Sequence, residues 1–249
     1  MTFGNKTIVV AGAGGGMGKA IVETLLNENA NVVGCDLNIA SLEALEANDQ
    51  FLGVEGNLLD EETVRTVFKQ GKATFGRIDG LVNAAGVAQN STPIEQVELK
   101  EWYKIIDINM TMTFLTCREA AVYMKEQGSG AIVNIGSVSV TRPRPGLQSY
   151  VASKGAVESF TKALALELAD DRINVNILHP GPSDTNMLGQ FAQEGADVEK
   201  MKATVFKDSV PLGRLIKPED IARSVKFLLS EDAGMVTGSV FHVDGGRNI

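Results

Sequence analysis

The stretch TIVVAGAGGGMGKA, residues 7–20, decides how the rest of the chain is read. Residues 7–11 are β-branched or small and apolar, which suits a strand buried on both faces. A helix is expected from about Gly16. The glycines between them permit a tight turn, bring backbone N–H groups close to a ligand, and let the helix pack hard against the strand. A glycine cluster alone says little. One held between a strand and a helix predicts a cradle for a dinucleotide pyrophosphate.

Working outward, short β-branched runs recur as NVVGCD (31–36), FLGVEG (51–56), DGLVNAA (79–85), AIVNIGS (131–137), INVNILH (173–179) and SVFHVD (239–244). Helical patterns begin near residues 16, 38, 60, 99, 147 and 217. Strands separated by helices make right-handed crossovers, so the expected fold is α/β: a doubly wound Rossmann sheet of about seven parallel strands, helices on both faces. No internal repeat or linker-like tract interrupts 1–249, which therefore reads as a single domain. The one long connection leaves the sixth strand at about residue 180, and its segment 182–216 is expected to act as a substrate lid. Asp60, Glu61 and Glu62 fit a helix N-terminus favoured by the macrodipole.

Composition narrows the function classes. A net charge of −8 argues against nucleic acid and against anionic membrane surfaces. No apolar run reaches the ~18 residues of a membrane span, and the first residues lack a basic start and a cleavage site, so a cytoplasmic protein is expected. Cys35 and Cys117 read as buried free thiols of a reducing compartment. His179 and His242 have no metal-ligand spacing, so no metal site is expected and each histidine is read as a satisfied residue near a strand end.

Two further features carry chemistry. Asp36 closes the second strand 18 residues beyond Gly18, where a carboxylate accepts hydrogen bonds from ribose hydroxyls and repels a 2′-phosphate. No Lys or Arg immediately follows it, which favours NAD over NADP. In SYVASK (149–154), Tyr150 and Lys154 stand four apart on one helix face. Taken alone, that pair reads first as a core aromatic beside a solvated cation, since the spacing recurs on many helices by chance.

Taken together, Gly12, Gly16 and Gly18 in GxxxGxG spacing, NAAG at 83–86, Asn109, Ser137, Tyr150, Lys154 and Pro180-Gly181 resemble the short-chain dehydrogenase/reductase family along essentially the whole chain. The resemblance implies Tyr150 as general acid or base, with Lys154 lowering its pKa and orienting the cofactor ribose. It implies Ser137 as the donor to the substrate oxygen, with Ser139 a nearby competitor, and Asn109 in a helix as holder of a proton-relaying water. Cofactor contacts are implied for Gly12, Gly15, Gly16, Met17, Gly18, Asp36, Asn57, Leu58, Asn83, Gly86, Tyr150, Lys154, Pro180, Gly181, Ser183 and Thr185. For Thr185 an N-cap role is the alternative. Substrate contacts are implied for Ser137, Ser139, Tyr150, Gln89 and Gln148.

The chain departs from the commonest family pattern at Ala11, Asn57 and Ser183. The expected function is an NAD-dependent oxidoreductase interconverting a secondary alcohol and a ketone on a small, polar substrate. The alternatives are a 3-oxoacyl-(acyl-carrier-protein) reductase and, from another class, a non-catalytic nucleotide-binding regulator. The acidic chain argues against docking an acidic carrier protein, while Arg142 and Arg144 are the contrary sign. A homotetramer, paired through the helices near 99–126 and 147–169, is the family expectation.

Overall fold

The computed structural model describes residues 3–191, 197, 204 and 207–249. Seven strands, β1 (Thr7–Ala11), β2 (Asn31–Asp36), β3 (Phe51–Glu55), β4 (Gly80–Asn83), β5 (Gly130–Ile135), β6 (Ile173–Pro180) and β7 (Val240–Val243), form one sheet in the order β3-β2-β1-β4-β5-β6-β7. All six pairings are parallel. The strand order reverses between β1 and β4, and ligands of such sheets bind in the crevice that opens there at the carboxyl ends.

Side-chain alternation along β1 feeds two cores. Ile8 and Val10 join the layer under α1 (Gly16–Asn27) and α7 (Pro218–Leu229), whereas Val9 and Ala11 face the layer under α2 (Glu61–Phe75), α4 (Met112–Gln127) and α5 (Gln148–Glu167). Every residue of β1 is buried, as the continuous apolar run requires. Asp60 caps α2, accepting from the Thr63 backbone N–H at 3.0 Å and its hydroxyl at 2.7 Å, as its position after β3 suggests.

Two elements differ from the sequence expectation. The helix expected near residue 38 is a 3-10 turn, Ala40–Leu45, started where the Asn38 side chain accepts from the Ala40 N–H. It buries only Leu42 in the short return from β2 to β3. The helix expected from 99 to 126 is divided into α3 (Leu99–Ile106) and α4 by a π turn at Asp107–Thr111. That wider turn carries Asn109 inward to complete burial. The short α6 (Asn186–Gly189) follows β6. Of the expected lid, residues 192–196, 198–203, 205 and 206 lie outside the described residues.

A buried polar network clamps the centre of the sheet to its helices. Asn83 on β4 donates to the Asn134 carboxamide on β5 at 2.9 Å and accepts from Thr116 on α4 at 2.7 Å, while Asn134 donates to Thr161 on α5 at 2.9 Å. Such a network is stable only when every member is satisfied. Asn134→Ala strips partners from Asn83 and Thr161 together, at about 1–3 kcal/mol for each buried group left unpaired. Urea unfolding should show a loss above 2 kcal/mol, with Asn83→Ala and Asn134→Ala strongly non-additive in a double-mutant cycle.

Candidate active site

The glycine turn is dictated first by the protein itself. Gly12 has φ +83°, and a β-carbon there would stand 2.4 Å from the Ala85 backbone nitrogen. At Gly18 a β-carbon would lie 1.9 Å from the Gly12 carbonyl oxygen. Gly15 is different: its nearest neighbour would be 3.8 Å away, so internal packing leaves room for a side chain. Gly15 is the N-cap of α1 without a side-chain cap, and Gly15, Gly16, Met17 and Gly18 line a cleft of about 600 Å³. First-turn N–H groups at a positive helix end facing a bare backbone cradle suit a pyrophosphate.

The cleft runs along the carboxyl edge of the sheet. Asp36 closes one end, with Asn57 and Leu58 beside it; Gly86 lies at the centre; Ser137, Ser139, Tyr150, Lys154, Pro180, Gly181, Ser183 and Thr185 line the other half. One Asp36 oxygen accepts from the Gly14 N–H at 3.0 Å and the other from the Asn38 N–H at 3.4 Å, which fixes the carboxylate facing the cradle. Asn57 accepts from the Leu59 N–H, and Ser183 donates to the Gly181 carbonyl. Thr185 occupies the N-cap position of α6 but its side chain makes no cap bond, leaving the hydroxyl for the cleft.

Tyr150 and Lys154, on the first turns of α5, are each only 5% exposed. Burial raises the Tyr150 phenol above its usual value, and a hydrogen bond with Ser137 pulls the other way. Burial also pushes the Lys154 ammonium down to about 8. Its Nζ donates to the Ile135 carbonyl at 2.9 Å. In this arrangement burial is the larger influence on the phenol, and the Lys154 ammonium is turned to the strand end. Ser137 accepts from both the Ser139 N–H at 3.2 Å and the Ser139 hydroxyl at 2.9 Å. With both lone pairs used, its own proton is left to donate. Ser139 is thus Ser137's support as much as its competitor.

Asn109 does not line the cleft. It accepts from the Val87 N–H at 2.8 Å and donates to the Val87 carbonyl at 3.1 Å and the Ser153 hydroxyl at 2.9 Å. It tethers the segment after β4 to α5. Gly86 makes that approach possible, since a β-carbon there would lie 3.1 Å from the Asn109 carboxamide oxygen and 3.3 Å from Lys154 Nζ.

Three implied contacts fall elsewhere. Asn83 belongs to the buried network under the sheet edge rather than to the cleft. Gln89 accepts from the Tyr150 backbone N–H at 3.0 Å, satisfying an orphan donor of α5, and Gln148 donates to the Thr92 carbonyl at 3.0 Å. Both glutamines lock the 87–93 loop onto α5 and are absent from the cleft lining. His179 corrects the expectation of a satisfied histidine: it is fully buried with both ring nitrogens unbonded, Nε2 lying 3.5 Å from a Glu158 oxygen, and burial holds it neutral near pKa 4. Both thiols are free and buried, with pKa values near 12. The sequence reading missed Arg247 and Phe191, which also line the cleft, the Phe191 ring meeting Tyr150 edge-on at 5.0 Å.

A family model described as enoyl-(acyl carrier protein) reductase, adh_short_C2, matches residues 12–248. The chain belongs to the short-chain dehydrogenase/reductase family. It is 36% identical to the 3-oxoacyl-(acyl-carrier-protein) reductase of Haemophilus influenzae, covering 97% of each chain. It is 33% identical to the cyclohexanol dehydrogenase of an Acinetobacter species, covering 98% of this chain and 95% of the relative. The 3-ketoacyl-(acyl-carrier-protein) reductase of Brucella melitensis, crystallised with NADH, superposes with a TM-score of 0.92 at 36% identity over 100% of both chains. The chain is accordingly a short-chain oxidoreductase acting on CH–OH groups, and among the described residues no helix is long and apolar enough to cross a membrane.

The buried lysine yields a stability signature. Its folded pKa of about 8 lies below the ordinary lysine value of 10.5, so from about 8 upward the unfolded chain holds the proton more tightly and stability rises with pH, until near pH 9 the buried thiols, raised to about 12, begin to oppose it. Lys154→Met should abolish that rise in the ligand-free protein and stabilise it at pH 7 by up to about 3 kcal/mol, measured by denaturant unfolding from pH 7 to 9, below the range in which the thiols titrate in the unfolded chain.

Proposed function

We propose that this chain is an NAD-dependent oxidoreductase that interconverts a secondary alcohol and a ketone on a small polar substrate. The observation that carries the reading is the meeting of Ser137, Tyr150 and Lys154 in the same cleft that begins at the glycine cradle. A bound nicotinamide supplies or takes the hydride at the substrate carbon. Ser137 donates to the substrate oxygen, where negative charge grows as the carbonyl is reduced. Tyr150, kept protonated by burial, delivers its phenolic proton to that oxygen; in the oxidising direction it removes the hydroxyl proton. Lys154 orients the cofactor ribose and, still cationic at neutral pH, favours the tyrosinate left after transfer. Asn109 positions this machinery through Val87 and Ser153.

Asp36 supports NAD, because its carboxylate presents acceptors to the ribose hydroxyls and like charge to a 2′-phosphate. Phe191, edge-on to Tyr150, supports a lid role for the segment after β6, which would keep water from the reacting atoms. Exposed Phe114, Val122 and Leu166 on α4 and α5 support a homotetramer built on those helices. The buried thiols suit a cytoplasmic setting.

Coenzyme-coupled assays over small alcohols and ketones test the reading. NADH should support reduction far better than NADPH, and Asp36→Ala should weaken NAD roughly tenfold, about 1.4 kcal/mol, while relaxing discrimination against NADP. Preference of the unmodified protein for NADPH would contradict it. Reduction needs the protonated phenol, so its rate should stay level through neutral pH and fall only in alkali, while oxidation should climb with pH over the same range.

A further inference from the structure

The substrate half of the cleft gathers positive charge that the proton and hydride steps do not use. Arg142 and Arg144 come from the loop between the 3-10 turn Val138–Val140 and α5, and Arg247 from the turn after β7. All three line the cleft with Ser139 and Tyr150. They approach one another against their own repulsion. Burial first, and then Arg247, lowers the Arg144 pKa, while burial and then Arg142 lower that of Arg247. Arg142 donates to the Ile249 backbone oxygen at 3.1 Å, and Arg247 is 3.4 Å from the Ser209 carbonyl. Asp244 opposes Arg247, yet its carboxylate is engaged by the N–H groups of Gly246 at 2.9 Å and Asn248 at 2.8 Å.

Composition makes this concentration informative. The chain holds 31 acidic residues against 23 Lys and Arg, so three arginines converging from two distant segments, Arg144 and Arg247 partly desolvated and Arg142 exposed at the mouth, are not a by-product of a basic surface. Nor do they serve the cofactor's adenosine end: Asp36 marks that end on β2, and the arginines lie across the sheet, past β5 and after β7. A guanidinium presents a planar fork of donors that matches an oxyanion bidentately, and burial strengthens such a contact.

Resting on the proposed function, we infer that the alcohol or ketone taken by this site carries an oxyanion group, a carboxylate, sulfonate or phosphate monoester, held by Arg142, Arg144 and Arg247. The polar substrate of the broader reading is thus a hydroxy or oxo acid. The anion's position relative to Tyr150 sets which carbon is presented for hydride transfer.

The test uses the full chain saturated with NAD. Calorimetric titration with sulfate, phosphate and acetate at low ionic strength should give saturable binding of at least one of them. Arg142→Gln/Arg144→Gln/Arg247→Gln should weaken it by roughly tenfold or more while NAD affinity stays within about threefold. Arg247→Gln alone, and the three Arg→Lys changes, serve if the triple variant folds poorly; lysines should restore part of the anion affinity because charge persists without the fork. In turnover, kcat/KM for 3-hydroxybutyrate should exceed that for its methyl ester, and the ratio should collapse in the glutamine variants. Which anion binds tightest names the group. Equal anion binding by unmodified and variant proteins, no anion binding at all, or preference for the uncharged ester or an uncharged 3-oxoacyl thioester would overturn the inference. Turnover of neutral alcohols without anion preference would leave the oxidoreductase reading intact, whereas failure to bind NAD or NADH would sink that reading itself.

Discussion

A β-carbon on residue 18 would stand 1.9 Å from the carbonyl oxygen of Gly12, well inside van der Waals contact. That close approach of α1 to the end of β1 is the constraint on which the rest of the site depends. It sets the helix start at Gly16 with its N–H groups bare, and holds Gly12 against Ala85 at the end of β4. The two strands flanking the switch point are thereby drawn together at their carboxyl ends. Ala84 and Ala85 both donate to the Ala11 carbonyl, which ends the β1–β4 ladder and opens the crevice. Everything that lines the cleft is hung from that edge.

The chemistry is tuned by burial more than by pairing. Tyr150 and Lys154 lie one helical turn apart, both buried, and desolvation moves both toward neutrality: the phenol up, the ammonium down to about 8. On the proposed reading, the neutral phenol is the proton donor in carbonyl reduction. Ser137, its acceptor capacity filled by Ser139, donates its remaining proton to Tyr150, and on the proposed reading to the substrate oxygen once that is bound. Supporting bonds from Gln89 to the Tyr150 N–H and from Asn109 to Ser153 hold the first turns of α5 in place. Farther along the same cleft the three arginines add an electrostatic demand on the substrate that neither proton donor imposes.

The doubly wound sheet was legible because each strand is a continuous apolar run between helical patterns, and all seven lie within one or two residues of where the pattern puts them. The cleft was legible where backbone geometry forces a residue type, as at Gly12 and Gly18. Side chains whose role depends on where a loop turns were not legible. Asn83 is the last residue of β4, with its carboxamide taken up by the buried network; Gln89 and Gln148 are consumed by backbone groups of α5 and Thr92. The π turn at Asp107–Thr111 leaves no periodic trace, since it inserts one residue into an otherwise regular helix. Arg247 escaped because it is remote in sequence from Arg142 and Arg144, and only the return of β7 beside β6 brings them together.

The central claim, that the Tyr150 phenol transfers the proton in a nicotinamide-dependent reaction, is tested most directly by single-turnover kinetics of Tyr150→Phe. The substitution removes one oxygen and keeps the ring that Phe191 packs against. The account predicts that NADH binds as before, while hydride transfer to a reducible ketone slows by roughly 10² to 10⁴-fold. Hydride transfer at the unmodified rate, with NADH bound normally, would contradict it.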